Sequence, residues 1–148
     1  MGYNAYDLSK IKQIRWGIDN EEKARLRYTE EKKLTHDNFE CRLSGFVIDL
    51  DRPYMGASAD GIATCKCCPP RVVEIKCPFK HKDVLPMEAA KSDPDFCLDD
   101  KGHLKETHAY YTQLQLQVHV NRMEVGDFCV FTNKDLHIVE GIPLNKIL

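Results

Sequence analysis

The run from Arg71 to Lys76 constrains this chain most, because it combines the apolar residues of a buried strand with a charged pair. Glu74 and Lys76 are two positions apart, so on a pleated strand both project from one face, while Val73 and Ile75 project from the other. Such a pair also occurs on solvated edge strands, where both charges face water. The run therefore predicts a strand whose charged face meets either solvent or a functional site.

An acidic residue upstream favours the functional site. Asp60 lies in the turn-rich segment from Ala57 to Gly61, which leads through a second apolar run into the loop before Glu74. Two short antiparallel strands joined across residues 65 to 70 would bring Asp60 beside Glu74, close enough to share a cation. Carboxylates are hard ligands suited to Mg²⁺ or Mn²⁺, and Lys76 could steady or deprotonate a water that attacks a phosphodiester. The three side chains together indicate metal-assisted phosphodiester hydrolysis.

The first predicted helix offers a third acid for the same site. Ile11, Ile14 and Ile18 follow 3 and 4 spacing, and the next position on this stripe is Glu21. We therefore expect Glu21 to point toward the core, the alternative being a surface acid among other charges. Gly17 lies one turn earlier, where its missing side chain would leave room for a water, a metal or a phosphate.

A later predicted helix carries an unusual run of glutamines. Its apolar stripe consists of Tyr110, Leu114 and Val118, and Tyr110 shares a face with Gln113. Solvated glutamines are common on helices, so this segment decides little by itself.

Together these motifs resemble the lambda-exonuclease-like, or YqaJ-type viral recombinase, branch of the PD-(D/E)XK nuclease superfamily. The similarity covers roughly residues 15 to 132. Its ordered motifs are Trp16 and Gly17 with Glu21, then Ser58 to Gly61, then Val73 to Phe79, then Tyr110 with Gln113 and Gln115. The resemblance implies an α+β (mixed α/β) fold, in which a central mixed β-sheet flanked by helices forms a restriction-endonuclease-like PD-(D/E)XK core.

The resemblance also implies a role for each site residue. Its metal ligands are Asp60, Glu74 and the main-chain carbonyl of Ile75. Lys76 would act on the attacking water, and Glu21 would complete the acidic cluster. Gln113 would support the water or the scissile phosphate, and Tyr110 would line the same pocket.

The activity that the resemblance implies is Mg²⁺-dependent (or Mn²⁺-dependent) hydrolysis of DNA, by an exonuclease that processes duplex ends for recombination. The alternatives are a flap or site-specific endonuclease of the same superfamily, and a non-catalytic DNA-binding or recombination-partner module. The resemblance allows a homotrimeric ring and a single-strand annealing protein as partner. Similar enzymes grip the terminal phosphate with a segment upstream of the first catalytic helix. Only Met1 to Tyr6 precede that helix here, so we expect a domain that lacks this segment.

Length and charge limit the remaining possibilities. The 148 residues, 43% of them hydrophobic and 30% charged, predict one domain over residues 1–148 with a modest core. A net charge of −2 provides no global field that attracts nucleic acid, so a DNA-binding surface has to be local. Its candidate phosphate contacts are Arg15 and Arg25 on the first helix and Lys80 after the charged strand. The alternative for each is a solvated charge paired with nearby acids.

The cysteines and the hydropathy bear on location and on structural metal. No run of 18 apolar residues and no secretory signal is present, which predicts an intracellular protein without a membrane partner, nuclear if its source is eukaryotic. Seven cysteines argue against a complete disulfide framework. A zinc site could combine the cluster Cys65, Cys67 and Cys68 with Cys97, His103 or His108. Because a second paired set is missing, we expect a tight loop without structural zinc.

The hydrophobic pattern predicts mixed secondary structure without repeats. The expected elements are a helix at 7–34, strands at 43–50, 57–64 and 71–77, an irregular arm at 78–105, a helix at 106–121, and a final hairpin of 127–132 with 137–142.

Overall fold

The computed structural model describes residues 8–49, 51 and 56–145. Its elements are α1 (Leu8–Lys33), β1 (Glu40–Arg42), β2 (Phe46–Ile48), β3 (Gly56–Ser58), β4 (Gly61–Thr64), β5 (Arg71–Lys76), a 3₁₀ turn (Phe79–His81), α2 (Pro86–Ser92), α3 (Ala109–Val120), β6 (Val125–Phe131) and β7 (Leu136–Pro143). The segment Met1 to Tyr6, on which the expected loss of the phosphate-gripping segment rests, lies outside the described residues. None of the described helices is long and apolar enough to cross a membrane.

Five strands form a mixed sheet in the order β1-β4-β5-β6-β7, and β2 pairs with β3 in a separate two-stranded sheet. Strands β5 and β6 are parallel, and the other neighbouring pairs of the large sheet are antiparallel. A parallel pair requires a long crossover, which here contains α2 and α3. The predicted mixed sheet flanked by helices is therefore confirmed.

The two faces of β5 enter different cores, as its alternation predicts. Val73 and Ile75 pack in the cluster that contains Ala24 and Tyr28 of α1. Val72 packs in the cluster that contains Leu114 and Val118 of α3, with α2 residues and residues 96–98. Because side chains alternate along a strand, Glu74 lies on the same face as Val72, toward α3.

Helix α3 packs closely on the sheet because β6 presents a glycine to it. A Cβ added at Gly126 would lie 2.9 Å from Leu114 Cδ1 and 3.0 Å from both Val118 Cγ2 and Val72 Cγ2. Any larger residue at this position would push α3 away from β5 and so disturb the residues that project between them.

Three of the predicted elements were wrong in their limits. In the described part of the strand predicted at 43–50, only β2 (46–48) is a strand, and β1 (40–42), which lies outside the predicted segment, belongs to the other sheet. The strand predicted at 57–64 is interrupted at Ala59 and Asp60 and forms β3 and β4. The arm at 78–105 contains α2, and its Phe96 and Leu98 are buried against the sheet. These differences arise because sheet pairing, and not local pattern, decides where a short apolar run ends.

The isoleucine stripe of α1, from which the orientation of Glu21 was predicted, does not face the core. The premise of that prediction was therefore wrong. Ile11, Ile14 and Ile18 are 40%, 63% and 68% exposed. The buried residues of α1 follow a later stripe at 4-residue spacing: Asn20, Ala24, Tyr28 and Lys32. The core contacts of α1 therefore come from its second half, where the polar Asn20 and Lys32 are buried with Ala24 and Tyr28.

Asp127 of β6 is completely buried and anchors α1 to the sheet. Tyr28 Oη donates a hydrogen bond of 2.5 Å to its Oδ2, and Lys32 Nζ lies 3.6 Å from the same oxygen. Arg71 Nη1 and the Gly141 N–H donate to its Oδ1 at 3.1 and 2.9 Å. A buried carboxylate is tolerated only when it is paired and hydrogen-bonded, and these contacts meet that requirement.

Removing one of these donors should destabilise the fold without touching the candidate site. Burial, followed by the negative charge of Asp127, raises the pKa of Tyr28, so its hydroxyl stays protonated and donates. We expect Tyr28→Phe to lower the free energy of unfolding by about 2 kcal/mol, because a hydrogen bond to a buried charge is lost. Urea denaturation measures this. The partly buried Tyr111, changed to Phe, serves as control and should alter stability by less than about 0.5 kcal/mol.

Candidate active site

The β4–β5 hairpin brings Asp60 to the charged face of β5. Gly61 pairs with Val73 in the antiparallel register, so Asp60, one residue before β4, lies beside the second half of β5. Asp60 Oδ2 accepts a hydrogen bond of 2.7 Å from the Ile75 N–H. This bond holds the carboxylate against the strand and directs its other oxygen away from the Ile75 amide. Burial is the largest cause that raises the pKa of Asp60.

Glu74 is the most deeply buried acid of the cluster, with 2% of its surface exposed. Its Oε1 accepts a hydrogen bond of 3.2 Å from Gln113 Nε2 and lies 3.7 Å from Lys76 Nζ. Its Oε2 is buried and has no hydrogen-bond partner among the described residues. Burial raises the pKa of Glu74 to about 6, although the Lys76 ammonium acts in the opposite direction. A buried carboxylate oxygen without a donor is costly unless something else occupies its lone pairs.

Glu21 joins the cluster from α1, although the isoleucine stripe that suggested its orientation is exposed. A hydrogen bond between its carboxyl group and that of Asp60, followed by burial and the charge of Asp60, raises the pKa of Glu21 to about 7. Arg25 stands one turn later: its Nε donates to the Asp60 carbonyl at 3.2 Å, and its Nη2 lies 3.9 Å from Glu21 Oε2. Arg25 therefore fixes the main chain at Asp60 and partly balances the acids.

The Lys76 ammonium is held in one position by α3. Its Nζ donates to Gln113 Oε1 at 2.9 Å and lies 4.4 Å from the centre of the Tyr110 ring. Gln113 thus bridges Lys76 and Glu74, donating through Nε2 and accepting through Oε1. This bridge fixes the amide orientation and keeps the lysine beside the acids, so the predicted Tyr110 and Gln113 face is directed at the charged pair of β5.

Two cavities meet at Lys76. One, of about 270 Å³, lies between α1 and the end of β5 and is lined by Gly17, Glu21, Ile75 and Lys76. A Cβ placed on Gly17 would contact nothing within 4 Å, so this part of the helix is open. The other cavity lies on the far side of Lys76, and Tyr110 lines it. A phosphodiester that entered either cavity would therefore reach Lys76, and in the first cavity it would also reach Glu21.

The second cavity contains residues that the sequence analysis did not select. His81 Nε2 lies 2.8 Å from Asp93 Oδ2, and both residues line the cavity with Lys80. His108 also lines it, and its Nδ1 accepts the Tyr110 N–H at the start of α3. The signal of His81 and Asp93 in the sequence was weak, because the irregular arm that carries them has no periodicity, and His108 was considered there only as a possible zinc ligand.

The three predicted DNA-binding cations lie in different environments. Arg25 is mostly buried and contacts Asp60, as described above, which makes it part of the acidic site. Arg15 is exposed on α1 and lines a shallow surface hollow with the isoleucine stripe. The side chain of Lys80 is 78% exposed, and its Nζ lies 3.5 Å from Asp93. Of the three, Arg15 and Lys80 are open to a partner.

The fold is a five-stranded mixed sheet with helices on both faces, and its central strand carries the Glu-x-Lys motif beside a further acid. This fold and this site define a domain of the lambda-exonuclease-like PD-(D/E)XK class. The chain belongs to the YqaJ-like viral recombinase domain family, because the model of that family matches residues 2–126. No curated protein sequence matches the chain.

Solved structures share this fold. An alkaline exonuclease, LHK-Exo, from Laribacter hongkongensis superposes with a TM-score of 0.61 at 20% sequence identity, covering 87% of this chain. The structure of LHK-Exo in complex with dAMP gives the same TM-score and identity and covers 88% of this chain. In both comparisons the match spans 58% of the length of the exonuclease. At this identity the similarity extends to the fold alone.

Proposed function

We propose that this domain is a divalent-metal-dependent DNA nuclease, and that it acts as an exonuclease on duplex ends in recombination. The observation that carries the proposal is the buried Oε2 of Glu74, which lacks a hydrogen-bond partner in the described structure, in a carboxylate whose pKa is influenced by Asp60 and Glu21. Membership in a viral recombinase domain family and the alkaline exonuclease fold support the same activity.

The residues fit a hard divalent cation. Its proposed ligands are oxygens from Asp60, Glu74 and the Ile75 carbonyl, with Glu21 completing the acidic surroundings. Carboxylates whose pKa values are raised by burial and by each other hold protons that a cation would displace. When bound, Mg²⁺ or Mn²⁺ would supply charge neutralisation at the scissile phosphate and lower the pKa of a coordinated water.

The remaining roles fall to side chains of this chain. Lys76 orients the attacking water and stabilises the negative charge that develops on the phosphate. Gln113 and Tyr110 hold the ammonium in place, so it needs no rearrangement as the reaction proceeds. Arg25 keeps the Asp60 turn closed against the strand. The exposed Arg15 and Lys80 contact the DNA backbone.

Processing of duplex ends is the finer part of the proposal. The similar LHK-Exo has been crystallised with dAMP, a nucleoside monophosphate and thus of the class that stepwise hydrolysis releases. By analogy, we propose mononucleotide products, assembly as a homotrimer around the duplex, and a single-strand annealing protein as partner for the resected strand.

Digestion of end-labelled linear duplex DNA with Mg²⁺, Ca²⁺ or EDTA tests the activity. We expect mononucleotide release from linear duplex in Mg²⁺ and none in EDTA. A closed circular duplex of the same sequence is the control, since cleavage of the circle would assign an endonuclease instead. Binding without cleavage of either substrate would favour the non-catalytic module. Native mass measurement separates the trimer from the monomer.

The raised pKa values predict that metal binding weakens in mild acid. The Glu21 pKa of about 7 and the Glu74 pKa of about 6 both exceed the ordinary value of 4.5. Between pH 4.5 and these values the folded metal-free chain binds more protons than the unfolded chain, so its stability falls as pH rises, while its cation affinity increases. We expect Mn²⁺ affinity to be about tenfold lower at pH 6 than at pH 8, since one carboxylate with pKa near 7 must lose its proton.

Isothermal titration calorimetry with Mn²⁺ at several pH values measures this dependence. The variant Glu21→Gln should bind Mn²⁺ with a flatter pH dependence above about pH 6, because the group with the highest pKa is gone. An affinity that did not change between about pH 6 and pH 8 in the wild-type protein would contradict a carboxylate site with these pKa values.

A further inference from the structure

A second cluster of metal-binding side chains lies at the loop end of the β4–β5 hairpin, the opposite end from Asp60. The loop between β4 and β5 places Cys67 Sγ 3.5 Å from Cys65 Sγ and 3.9 Å from Cys68 Sγ. The ring of His36, from the turn after α1, is brought to the same loop. Ligand atoms of His36, Cys67 and Cys68 all lie within 4.8 Å of one another. Two thiols and an imidazole therefore converge from two separate segments, and a third thiol, that of Cys65, adjoins Cys67.

We propose that His36, Cys65, Cys67 and Cys68 bind one structural zinc ion, which ties the end of α1 to the β4–β5 hairpin. Cys₃His is an established ligand set for structural zinc, and four protein ligands close the coordination sphere.

The distances between the sulfurs match a single tetrahedral ion. With zinc–sulfur bonds of about 2.3 Å, tetrahedral geometry separates two sulfurs by roughly 3.8 Å. The two measured separations, 3.5 and 3.9 Å, lie on either side of this value. In a [4Fe–4S] cluster each thiolate binds a different iron, so its sulfurs would lie farther apart. Small rotations of the side chains would bring the imidazole within reach of the same ion.

His36 is oriented as a zinc ligand by its own main chain. Its Nδ1 lies 3.2 Å from the Lys32 carbonyl oxygen and 2.9 Å from Thr35 Oγ1. A protonated Nδ1 can donate a hydrogen bond to the Lys32 carbonyl. A histidine whose Nδ1–H donates to a carbonyl presents an unprotonated Nε2, which is the form that binds metal. The edge-on contact of its ring with Phe39, at 5.8 Å between centroids, limits ring rotation further.

The ligand from outside the loop differs from those considered in the sequence. Cys97 and His108 line the cavity beside Lys76 and Tyr110, and His103 is paired with Asp99 at 3.5 Å. The expectation of a loop without structural zinc rested on the missing second paired set of ligands, and the fold brings one further ligand, His36, to the loop. The two segments are already joined by a hydrogen bond of 2.9 Å from the Lys66 N–H to the Asp37 carbonyl.

A zinc ion here would act on the acidic site through the fold. The hairpin that it closes is the one whose register sets Asp60 beside Glu74. The helix that it joins carries Glu21 and Arg25, which contact Asp60. Zinc would thus hold the two elements of the acidic cluster at a fixed separation, as a structural ion and not as a participant in catalysis.

Elemental analysis of the full chain, purified reduced and without a metal-affinity tag from zinc-supplemented cells, tests the proposal. We expect about one zinc per chain, retained after dialysis against EDTA. Cys67→Ser and His36→Ala should lose this zinc on the same dialysis and melt at least about 5 °C lower. The matched controls His103→Ala and Cys41→Ala remove an exposed imidazole and a thiol outside the loop, and should keep it.

Cobalt substitution of the wild-type protein tests the same site without relying on variants, which could fail to fold. Tetrahedral Co²⁺ with three thiolates gives strong visible absorption and a thiolate charge-transfer band, which octahedral Co²⁺ on carboxylates does not. Reduced wild-type protein without zinc, iron in place of zinc, weak octahedral cobalt absorption, or zinc retained by both Cys67→Ser and His36→Ala would each overturn the proposal. Because the readout is metal content and ligand geometry, none of these outcomes bears on the nuclease activity.

Discussion

Replacing Glu74 with glutamine, or Asp60 with asparagine, is expected to lower DNA cleavage by about 10³-fold or more, which corresponds to about 4 kcal/mol of lost transition-state stabilisation. Each change removes one ligand charge from a site whose cation would be held by few carboxylates. Both changes conserve the shape of the side chain. In Asp60→Asn the new amide oxygen can still accept the Ile75 N–H, as the carboxylate of Asp60 does at 2.7 Å. Rates on linear duplex at saturating Mg²⁺ measure the effect.

The same variants should fold at least as well as the wild-type chain when metal is absent. The Glu74 pKa of about 6 means that ionised Glu74 opposes folding above that pH, because its charge is buried. At about pH 8 in EDTA, a neutral glutamine removes this cost, so the melting temperature should not fall. Glu88→Gln, in the first turn of α2, is the matched control for activity. A Glu74→Gln variant that cleaved DNA at nearly the wild-type rate would contradict the assignment of Glu74 as a metal ligand.

Changing Lys76 to methionine should lower the rate of cleavage by about 10²-fold or more while leaving DNA affinity in Ca²⁺ nearly unchanged. Methionine keeps the aliphatic stem that packs beside Tyr110 but removes the ammonium that Gln113 holds at 2.9 Å. Loss of this cation also removes a charge that lowers the Glu74 pKa, so metal binding should need a higher pH. Single-turnover rates and Ca²⁺ binding curves separate chemistry from binding.

Lys80→Met is the contrasting variant for Lys76. Lys80 is the exposed lysine four residues later, and its proposed role is contact with the DNA backbone. We expect this change to weaken binding with little effect on the single-turnover rate at saturating DNA, the opposite of Lys76→Met. If Lys76→Met weakened binding as much as cleavage, Lys76 would be a phosphate contact and not a catalytic group.

Local periodicity was enough to predict the centre of the candidate site. Alternation along β5 predicted that Glu74 and Lys76 share a face, and the two apolar runs on either side of residues 65 to 70 predicted the hairpin that brings Asp60 to them. The i, i+3 relation of Tyr110 and Gln113 likewise predicted a shared face, which contacts Lys76 in the structure. These inferences succeeded because strand and helix geometry fixes the direction of neighbouring side chains without reference to the rest of the chain.

The glutamines of α3 show where local pattern is insufficient. If these glutamines were solvated, as is common on helices, they would not indicate which face of α3 is buried. In the structure Gln115 and Gln117 are buried, and their Nε2 atoms donate to the carbonyls of Pro143 and Ser58 at 2.9 and 2.8 Å. Their partners lie 28 and 59 residues away, so nothing within the helix sequence could indicate the burial.

Motif order, and the resemblance that it carries, predicted the mixed sheet with its flanking helices and the place of Glu21 in the acidic cluster, and alternation predicted the face on which Glu74 and Lys76 lie. The exposure of the isoleucines on the helix that carries Glu21, and the approach of His36 to the cysteine loop, became apparent in the folded chain alone. Both depend on how α1 lies across the sheet, which is fixed by contacts such as Tyr28 with Asp127, 99 residues apart. Such contacts join residues that are far apart in the sequence, so local spacing cannot predict them. Whether a residue is buried depends on the packing of the whole chain.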